Sequence, residues 1–272
     1  MRVLALTALL VAGLSGPAIA APSQAVVHPD WSRHFQAEGI SPADGALVMY
    51  DEARDTWHRF NPERCATPRI PASTFKIFNT MAAYEAGVLR DASFHLPWDG
   101  KVRAIAAWNQ DFDLPRAFQH SAVWFYQEIA RRVGPQKMQT YLSREGYGNA
   151  DMRGGLTQFW LDGQLRISPD AQIDFLKRLH HDQLGFPKEA QALTRTIMLN
   201  ATTPKGAVYG KTGLAEVEGR TVGWWVGYID TPRGTWYYAL NLTTSDAEAP
   251  VATSRKRIMN RVLKELDLPN AN

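Results

Sequence analysis

The stretch Pro71-Ala72-Ser73-Thr74-Phe75-Lys76 places a hydroxyl and an amine three residues apart at the start of a predicted helix. This helix is expected to run to about Tyr84 and to stop at Gly87. Positions i and i+3 share a helix face with Cβ atoms roughly 5–6 Å apart, so the Lys76 amine is expected to reach the Ser73 hydroxyl. Free N–H groups at the helix N-terminus would favour an oxyanion developing nearby. Taken alone, the spacing also fits a capping serine followed by a surface lysine.

Two later segments strengthen the chemical interpretation. Ser121-Ala122-Val123 places a second hydroxyl at the start of a predicted helix, where it could relay a proton. Lys211-Thr212-Gly213 lies on a predicted strand, and its glycine would let a ligand approach the backbone closely. Each segment by itself has an ordinary structural explanation. The three together, in this order, are typical of penicillin-recognising serine enzymes.

Periodicity and turn residues predict the rest of the fold. Alternating apolar and aromatic segments predict strands at 46–51, 56–60, 207–212, 221–229 and 235–242. Residues from about 90 to 197 are expected to be mainly helical, with the clearest helices of this region at 118–133 and 169–181, and a final amphipathic helix is predicted at 252–266. The predicted fold is therefore α/β, of the α+β kind. It has an antiparallel sheet built from both chain ends, helices flanking that sheet, and an inserted helical region.

Several motifs resemble those of the class D, or oxacillinase, serine β-lactamases. The resemblance covers nearly the whole predicted mature chain in order. It is carried by the motifs at 71–76, 108–111 (Trp-Asn-Gln-Asp), 121–124 (Ser-Ala-Val-Trp), 147–149 (Tyr-Gly-Asn), 159–163 (Phe-Trp-Leu-Asp-Gly), 211–213 (Lys-Thr-Gly) and 223–227 (Gly-Trp-Trp-Val-Gly). The Tyr-Gly-Asn segment and the tryptophan at 160 distinguish class D from other serine β-lactamases. The resemblance implies the penicillin-recognising fold and hydrolysis of the β-lactam amide bond, with resistance to penicillin-type antibiotics.

The resemblance also implies catalytic roles. Ser73 would be acylated by the β-lactam carbonyl, and Lys76 would be carboxylated by carbon dioxide to give N6-carboxylysine, the base for acylation and deacylation. Carbamylation requires a neutral amine, which burial of a lysine favours. Ser121 and Lys211 would complete the catalytic set, and the Trp160 indole N–H would donate to the carbamate.

Substrate contacts follow from the same resemblance. The expected substrate-binding residues are Val123, Leu161, Thr212, Gly213, Leu214 and Arg255. Val123 and Leu161, together with Phe75, would form an apolar wall. The backbone N–H groups of Ser73 and Leu214 would form the oxyanion hole. Lys211, Thr212 and an arginine would hold the substrate carboxylate. Arg255 is the expected arginine, with Arg257 as the alternative if the register slips.

The N-terminus predicts export. Arg2 is followed by an uncharged stretch at 3–14 and by a small-x-small cleavage pattern at 18–20. Residues 1–20 are therefore expected to be a signal peptide, and 21–272 a single periplasmic catalytic domain without a membrane anchor. Trp224 and Trp225 are predicted to be core strand residues.

Composition limits the alternatives. The net charge of +3 has no clustered basic footprint, so no nucleic-acid partner is expected. The only cysteine, Cys65, excludes an internal disulfide and is expected to be buried. No metal is expected, because the histidines show no H-x-x-x-H pair and the adjacent His180 and His181 should point to different parts of a helix surface.

Two other functions share the three-motif pattern. One is a D-alanyl-D-alanine peptidase or transpeptidase, against which the Trp160 motif and the expected absence of an anchor both argue. The other is a β-lactam sensor that becomes acylated and stays acylated. The expected partner is a small-molecule β-lactam. The choice among penicillins, cephalosporins and carbapenems, and the presence of a homodimer, are left open by the sequence.

Overall fold

A computed structural model describes residues 24–270, so the predicted signal peptide lies outside the described residues. The strands are β1 Gln24–Val27, β2 Gly45–Asp51, β3 Thr56–Phe60, β4 His95–Leu96, β5 Phe112–Asp113, β6 Leu199–Thr203, β7 Gly206–Val217, β8 Arg220–Thr231 and β9 Gly234–Thr244. The α-helices are α1 Ser32–Gln36, α2 Pro62–Cys65, α3 Lys76–Glu85, α4 Leu114–Gln119, α5 Val123–Val133, α6 Pro135–Glu145, α7 Pro169–His180, α8 Lys188–Ile197 and α9 Val251–Glu265. Short 3-10 turns lie at Pro29–Trp31, Pro42–Asp44, Ala72–Phe75 and Ala106–Trp108.

The main sheet combines both ends of the chain, as predicted. Within residues 24–270 it has seven strands in the order β1-β3-β2-β9-β8-β7-β6. Its neighbours pair antiparallel except for β1 and β3, which are parallel. The unpredicted β1 is a short exposed edge strand, whose four residues carry too little pattern to be recognised. Strands β7, β8 and β9 extend beyond their predicted limits because two tight hairpins continue the pairing to the turns.

The two faces of the sheet bury separate hydrophobic cores. On one face Val48 packs against the inserted helical region. On the other face Leu47 and Met49 pack with residues of α1 and α9. Because side chains alternate along a strand, the neighbours Trp224 and Trp225 enter opposite cores, and both are fully buried. The prediction that these two tryptophans are core residues is confirmed.

The segment that carries Ser73 lies at the centre of the fold. It begins as the 3-10 turn Ala72–Phe75 and continues as α3, which ends before Gly87 at φ +80°. A Cβ atom on Gly213 would lie 3.0 Å from the carbonyl oxygen of Pro71 and 3.2 Å from Cγ2 of Thr74. Glycine at 213 therefore lets β7 approach the 3-10 turn closely, a packing contact between distant parts of the chain.

The prediction of one continuous helix over 118–133 is wrong. Helix α4 ends at Gln119, and Ser121 has φ +58° before α5 begins at Val123. The Ala122 N–H donates to the carbonyl of Ala117 at 2.9 Å, which closes the end of α4 around the left-handed residue. Apolar residues continue in helical spacing on both sides of the break, so the pattern alone does not reveal it.

The prediction that His180 and His181 diverge is also wrong. His180 is the last residue of α7, and His181 leaves the helix with φ −94° and ψ 12°. Their ring centroids lie 5.0 Å apart, with the ring planes at 82°. The expectation of divergence assumed a regular helix through both residues, whereas the helix ends between them.

Cys65 is buried, as predicted. Its thiol donates to the carbonyl of Phe60 across 3.2 Å. Burial raises the pKa of the Cys65 thiol to about 12, so the thiolate is disfavoured and the side chain behaves as a core residue. Over residues 24–270, none of the helices has both the length and the apolar character needed to cross a membrane.

Candidate active site

Ser73 and Lys76 form a direct contact inside the protein. Lys76 Nζ lies 2.7 Å from Ser73 Oγ, in agreement with the i, i+3 expectation. The Lys76 side chain is fully buried, and among residues 24–270 no carboxylate forms an ion pair with it. Burial lowers the pKa of Lys76 to about 7. A neutral amine can therefore be populated near neutral pH beside the serine hydroxyl.

An aromatic and apolar wall lines this part of the protein. The Phe75 ring stacks on Trp160 with centroids 5.3 Å apart, and Lys76 Nζ lies 5.3 Å from the centroid of the Tyr126 ring. Trp160 is fully buried, and its indole Nε1 has no hydrogen-bond partner within the described residues. A buried N–H without a partner costs free energy. Such a donor fits an additional acceptor, such as the oxygen of a carboxylated lysine.

Ser121 and Lys211 form the second polar pair of the site. Lys211 Nζ donates to Ser121 Oγ at 2.8 Å and to the carbonyl of Thr212 at 3.0 Å. Burial lowers the pKa of Lys211 well below its ordinary value, and the charge of Lys76 acts in the same direction. The left-handed backbone at Ser121 is the kind of strain that occurs at functional sites. Lys76 is thus close enough to influence the protonation of Lys211.

The two candidate arginines of α9 lie in different surroundings. Arg255 donates through Nη1 to the carbonyl of Gly213, next to the Lys-Thr-Gly segment. Its Nε is buried and has no partner within residues 24–270, and burial lowers the pKa of Arg255 to about 10. Arg257 is exposed and lies 3.6 Å from a carboxylate oxygen of Glu38. Only Arg255 is therefore placed beside the predicted carboxylate-binding strand.

The remaining predicted substrate contacts have mixed exposure. Val123 begins α5, and Leu161 follows Trp160 in a loop; both are half-buried. Thr212 is half-buried and Leu214 is 43% exposed, although both lie on β7. An exposed leucine at the end of the Lys-Thr-Gly segment is available to a ligand.

Two residues of the site were not identified from the sequence. Tyr126 lies one helical turn after Val123 on α5, a spacing that could have indicated the shared face. Ala72 has φ +50° immediately before Ser73. Nothing in the identity of an alanine signals a left-handed backbone, so this feature could not be read from the sequence.

Comparisons with known proteins agree with this geometry. Residues 40–264 match the penicillin binding protein transpeptidase domain. The chain is 36% identical to β-lactamase OXA-48 of Klebsiella pneumoniae over 97% of its own length and 98% of that protein. It matches a class D β-lactamase structure from Nostoc with TM-score 0.82 and 36% identity, covering 88% of this chain and 99% of that one. The chain belongs to the class D β-lactamases. It is a serine β-lactamase hydrolase of that family.

A further solved structure bears on the sensor alternative. The C-terminal domain of the BlaR penicillin-receptor of Bacillus licheniformis matches this class D chain with TM-score 0.83 and 25% identity, covering 92% of this chain and all of that one. The class D fold is therefore shared with a protein named as a penicillin-receptor, so the fold by itself does not indicate hydrolysis.

Proposed function

We propose that this class D enzyme hydrolyses the β-lactam amide bond of penicillin-type antibiotics through an acyl-enzyme on Ser73, and that its expression confers resistance. The observation that carries the proposal is the buried Lys76 amine 2.7 Å from Ser73 Oγ, which forms no ion pair with a carboxylate of residues 24–270. A serine hydroxyl becomes an effective nucleophile when an adjacent base takes its proton.

Acylation begins when the Lys76 side chain takes the Ser73 proton and Ser73 Oγ attacks the β-lactam carbonyl. The ring amide C–N bond then breaks, and its nitrogen receives the proton that Lys76 took from Ser73, relayed through the Ser121 and Lys211 pair, which leaves Lys76 free to act as a base again. In deacylation the Lys76 side chain takes a proton from water as the water attacks the ester carbonyl, and it returns that proton to Ser73 Oγ as the ester C–O bond breaks. The acid formed keeps the opened ring, so the net reaction adds one water.

Carboxylation of Lys76 is part of this proposal. Three features support it: the lowered pKa of Lys76, its apolar surroundings, and the unpartnered indole N–H of Trp160. The carbamate would supply an anionic oxygen base at the end of the lysine side chain. Trp160 would orient that oxygen by a charge-assisted hydrogen bond.

Substrate binding uses the positive charge around β7. Lys211 and Arg255 lack carboxylate partners among residues 24–270, so a substrate carboxylate would compensate their charge. Thr212 and Gly213 would line this part of the site, and Leu214 with Val123 and Leu161 would contact the apolar parts of the antibiotic. The Ser73 and Leu214 backbone N–H groups would stabilise the oxyanion.

One assay separates the proposal from its alternatives. The mature protein should turn over a chromogenic cephalosporin many times, and its intact mass should return to the free value after penicillin is consumed. Ser73→Ala should show no covalent adduct. Lys76→Ala should acylate slowly and then retain the adduct, because the same side chain activates water. A wild-type adduct that persists indefinitely would support the sensor, and cleavage of D-alanyl-D-alanine peptides without β-lactam turnover would support the peptidase.

We also propose that the enzyme acts in the periplasm, as a single catalytic domain over residues 21–272. The support is the signal pattern at 1–20. When the full chain is expressed in a Gram-negative host, the periplasmic fraction should contain protein that begins near Ala21. Full-length protein retained in the inner membrane would contradict this.

A further inference from the structure

A second group of chemically active side chains lies apart from Ser73 and Lys76. Glu52 directly follows β2, His180 ends α7 and His181 is the next residue. One potential ligand atom from each of the three lies within 4.8 Å of the others. Glu52 is fixed to the sheet because its N–H donates to the carbonyl of Thr235 at 3.1 Å.

The buried hydroxyl of Tyr237 contacts all three of these side chains. The hydroxyl of Tyr237 lies 3.1 Å from His180 Nδ1, 3.2 Å from His181 Nε2 and 3.3 Å from Glu52 Oε1. The Tyr237 side chain is fully buried. The Tyr237 hydroxyl donates to the Glu52 carboxylate. One phenol proton therefore faces two imidazoles and a carboxylate.

The carboxylate of Asp230 orients the His180 ring. Its Nε2 lies 3.1 Å from Asp230 Oδ1, and Thr235 Oγ1 donates to the same oxygen at 2.9 Å. A proton on His180 Nε2 that donates to Asp230 leaves the Nδ1 lone pair facing the Tyr237 hydroxyl, which also contacts Glu52 and His181. A carboxylate behind a histidine in this way is the arrangement that orients metal-ligating imidazoles.

Among residues 24–270, the charge of Glu52 is not balanced by a permanent cation. Its nearest basic partner is His181, whose Nε2 lies 2.7 Å from Glu52 Oε1. Over the described part of the chain, neither a lysine nor an arginine forms an ion pair with Glu52. A carboxylate, two imidazoles and a partly open surface together provide both ligands and access, since His181 is 41% exposed.

We propose that Glu52, His180 and His181 bind one divalent transition-metal ion of the Zn²⁺ type at a site separate from the catalytic serine. Two imidazole nitrogens and one carboxylate are a common ligand set for zinc, with a fourth position left to water. Mg²⁺ and Ca²⁺ prefer oxygen ligands, so they fit this set poorly.

Binding requires only small changes in the cluster. His181 Nε2, which now donates to Glu52 Oε1, loses its proton when the ring takes the tautomer with the proton on Nδ1, so that its lone pair is free for the ion. The hydrogen bond from the Tyr237 hydroxyl to the Glu52 carboxylate is retained. The ion then links the turn after β2 to the end of α7. Asp230 of β8 accepts a hydrogen bond from His180 and so orients this ligand. Because the metal binds the folded chain, it stabilises that chain, and the serine chemistry does not depend on it.

The test uses the mature protein without a histidine tag, stripped with EDTA. We expect it to bind one Zn²⁺ per chain at micromolar or lower concentration by isothermal titration, with a rise in Tm. Co²⁺ should give visible absorption bands typical of nitrogen and oxygen ligands in a four-coordinate site. Mg²⁺ should give neither response. Acylation by penicillin should persist after EDTA, so this test and that of the proposed function can fail independently.

Variants locate the ion. Glu52→Gln and His181→Ala should each weaken Zn²⁺ binding by at least about 10-fold, and Asp230→Asn, which removes the orienting carboxylate, by about 10- to 100-fold. His95→Ala is the matched control, because His95 is an exposed histidine on β4 outside the cluster, and it should bind like the wild type.

Three results would overturn the proposal: no stoichiometric binding by the wild type, binding that Glu52→Gln and His181→Ala leave unchanged, or equal binding of Mg²⁺. If a variant fails to fold, His181→Asn and the wild-type Co²⁺ spectrum decide the question. Loss of binding in His181→Asn, or the expected spectrum, supports the site. Unchanged binding, or a spectrum of hydrated Co²⁺ alone, contradicts it.

Discussion

Lys76 Nζ lies 2.7 Å from Ser73 Oγ in a fully buried position, and burial alone lowers the pKa of the amine to about 7. The proposed chemistry places two requirements on the Ser73–Lys76 pair. The serine needs a base, and carbon dioxide reacts only with an amine that has lost its proton. Burial serves both, because a desolvated ammonium is unfavourable.

The first prediction concerns pH and carbon dioxide. Below pH 7 the amine becomes protonated, so the activity of degassed enzyme should fall roughly tenfold per pH unit. Bicarbonate added at fixed pH should restore it, and carbon-13 dioxide should give a carbamate signal by NMR. The carboxylated-lysine mechanism is wrong if activity ignores bicarbonate after degassing at low pH and no labelled carbamate appears.

The same lysine predicts a pH dependence of stability. Without carbon dioxide, the folded chain loses the Lys76 proton above about pH 7, whereas the unfolded chain keeps it to about 10.5. The unfolded state binds more protons in this window, so the free energy of unfolding should rise with pH across it. Urea unfolding at pH 7 and 9 should show that Lys76→Met reduces this rise. Lys188→Met, at an exposed lysine of α8, should keep it.

Trp160 provides the third prediction. In Trp160→Phe the indole N–H is lost, and a buried charge-assisted hydrogen bond is worth about 1.5–3 kcal/mol. The bicarbonate concentration for half-maximal activity should therefore rise about 10- to 100-fold. Trp31→Phe is the control, since Trp31 is equally buried but belongs to the opposite core and donates to Glu265 at 3.3 Å. Trp31→Phe should lower Tm without changing the bicarbonate concentration for half-maximal activity. If that concentration rises equally in both variants, Trp160 does not have the proposed role.

Local spacing predicted the contacts that local structure determines. The Ser73–Lys76 pair follows from helix geometry, and the strands from alternation. The Ser121–Lys211 contact joins residues 90 positions apart, so its distance depends on how β7 packs beside the end of α4. The family resemblance brought those two residues into one site, but neither the left-handed backbone at Ser121 nor the unpartnered Trp160 N–H has a sequence signal.

The contact between the His180 and His181 rings could not be predicted from the sequence either. Its cause is the point at which α7 ends, and helix ends are less certain than helix centres when inferred from sequence. The third member, Glu52, is separated from them along the chain and is brought close by the packing of α7 on β2 and β9.

The fourth prediction tests the backbone strain at Ser121. Ser121→Ala and Ser121→Gly both remove the hydroxyl that Lys211 contacts, so each should slow acylation on the order of 10²-fold. Glycine adopts φ +58° without a Cβ penalty, so Ser121→Gly should be more stable than Ser121→Ala by about 1 kcal/mol. Rapid mixing with a chromogenic substrate gives the rates, and urea unfolding gives the stabilities. Wild-type acylation in either variant would exclude a role for the hydroxyl.

The fifth prediction separates the two arginines of α9. Arg255 lies at the Gly213 carbonyl beside Lys211, whereas Arg257 is exposed and pairs with Glu38. A charge-assisted hydrogen bond to the substrate carboxylate is worth about 1.5–3 kcal/mol, so Arg255→Ala should raise KM about 10- to 100-fold with a smaller change in kcat. Arg257→Ala should stay within about twofold of the wild type, because exposed ion pairs contribute little. A penicillin whose carboxylate is esterified should show no difference between wild type and Arg255→Ala, since the group that Arg255 recognises is then absent. If Arg257→Ala raises KM and Arg255→Ala does not, or if the ester still distinguishes wild type from Arg255→Ala, then Arg255 does not bind the carboxylate.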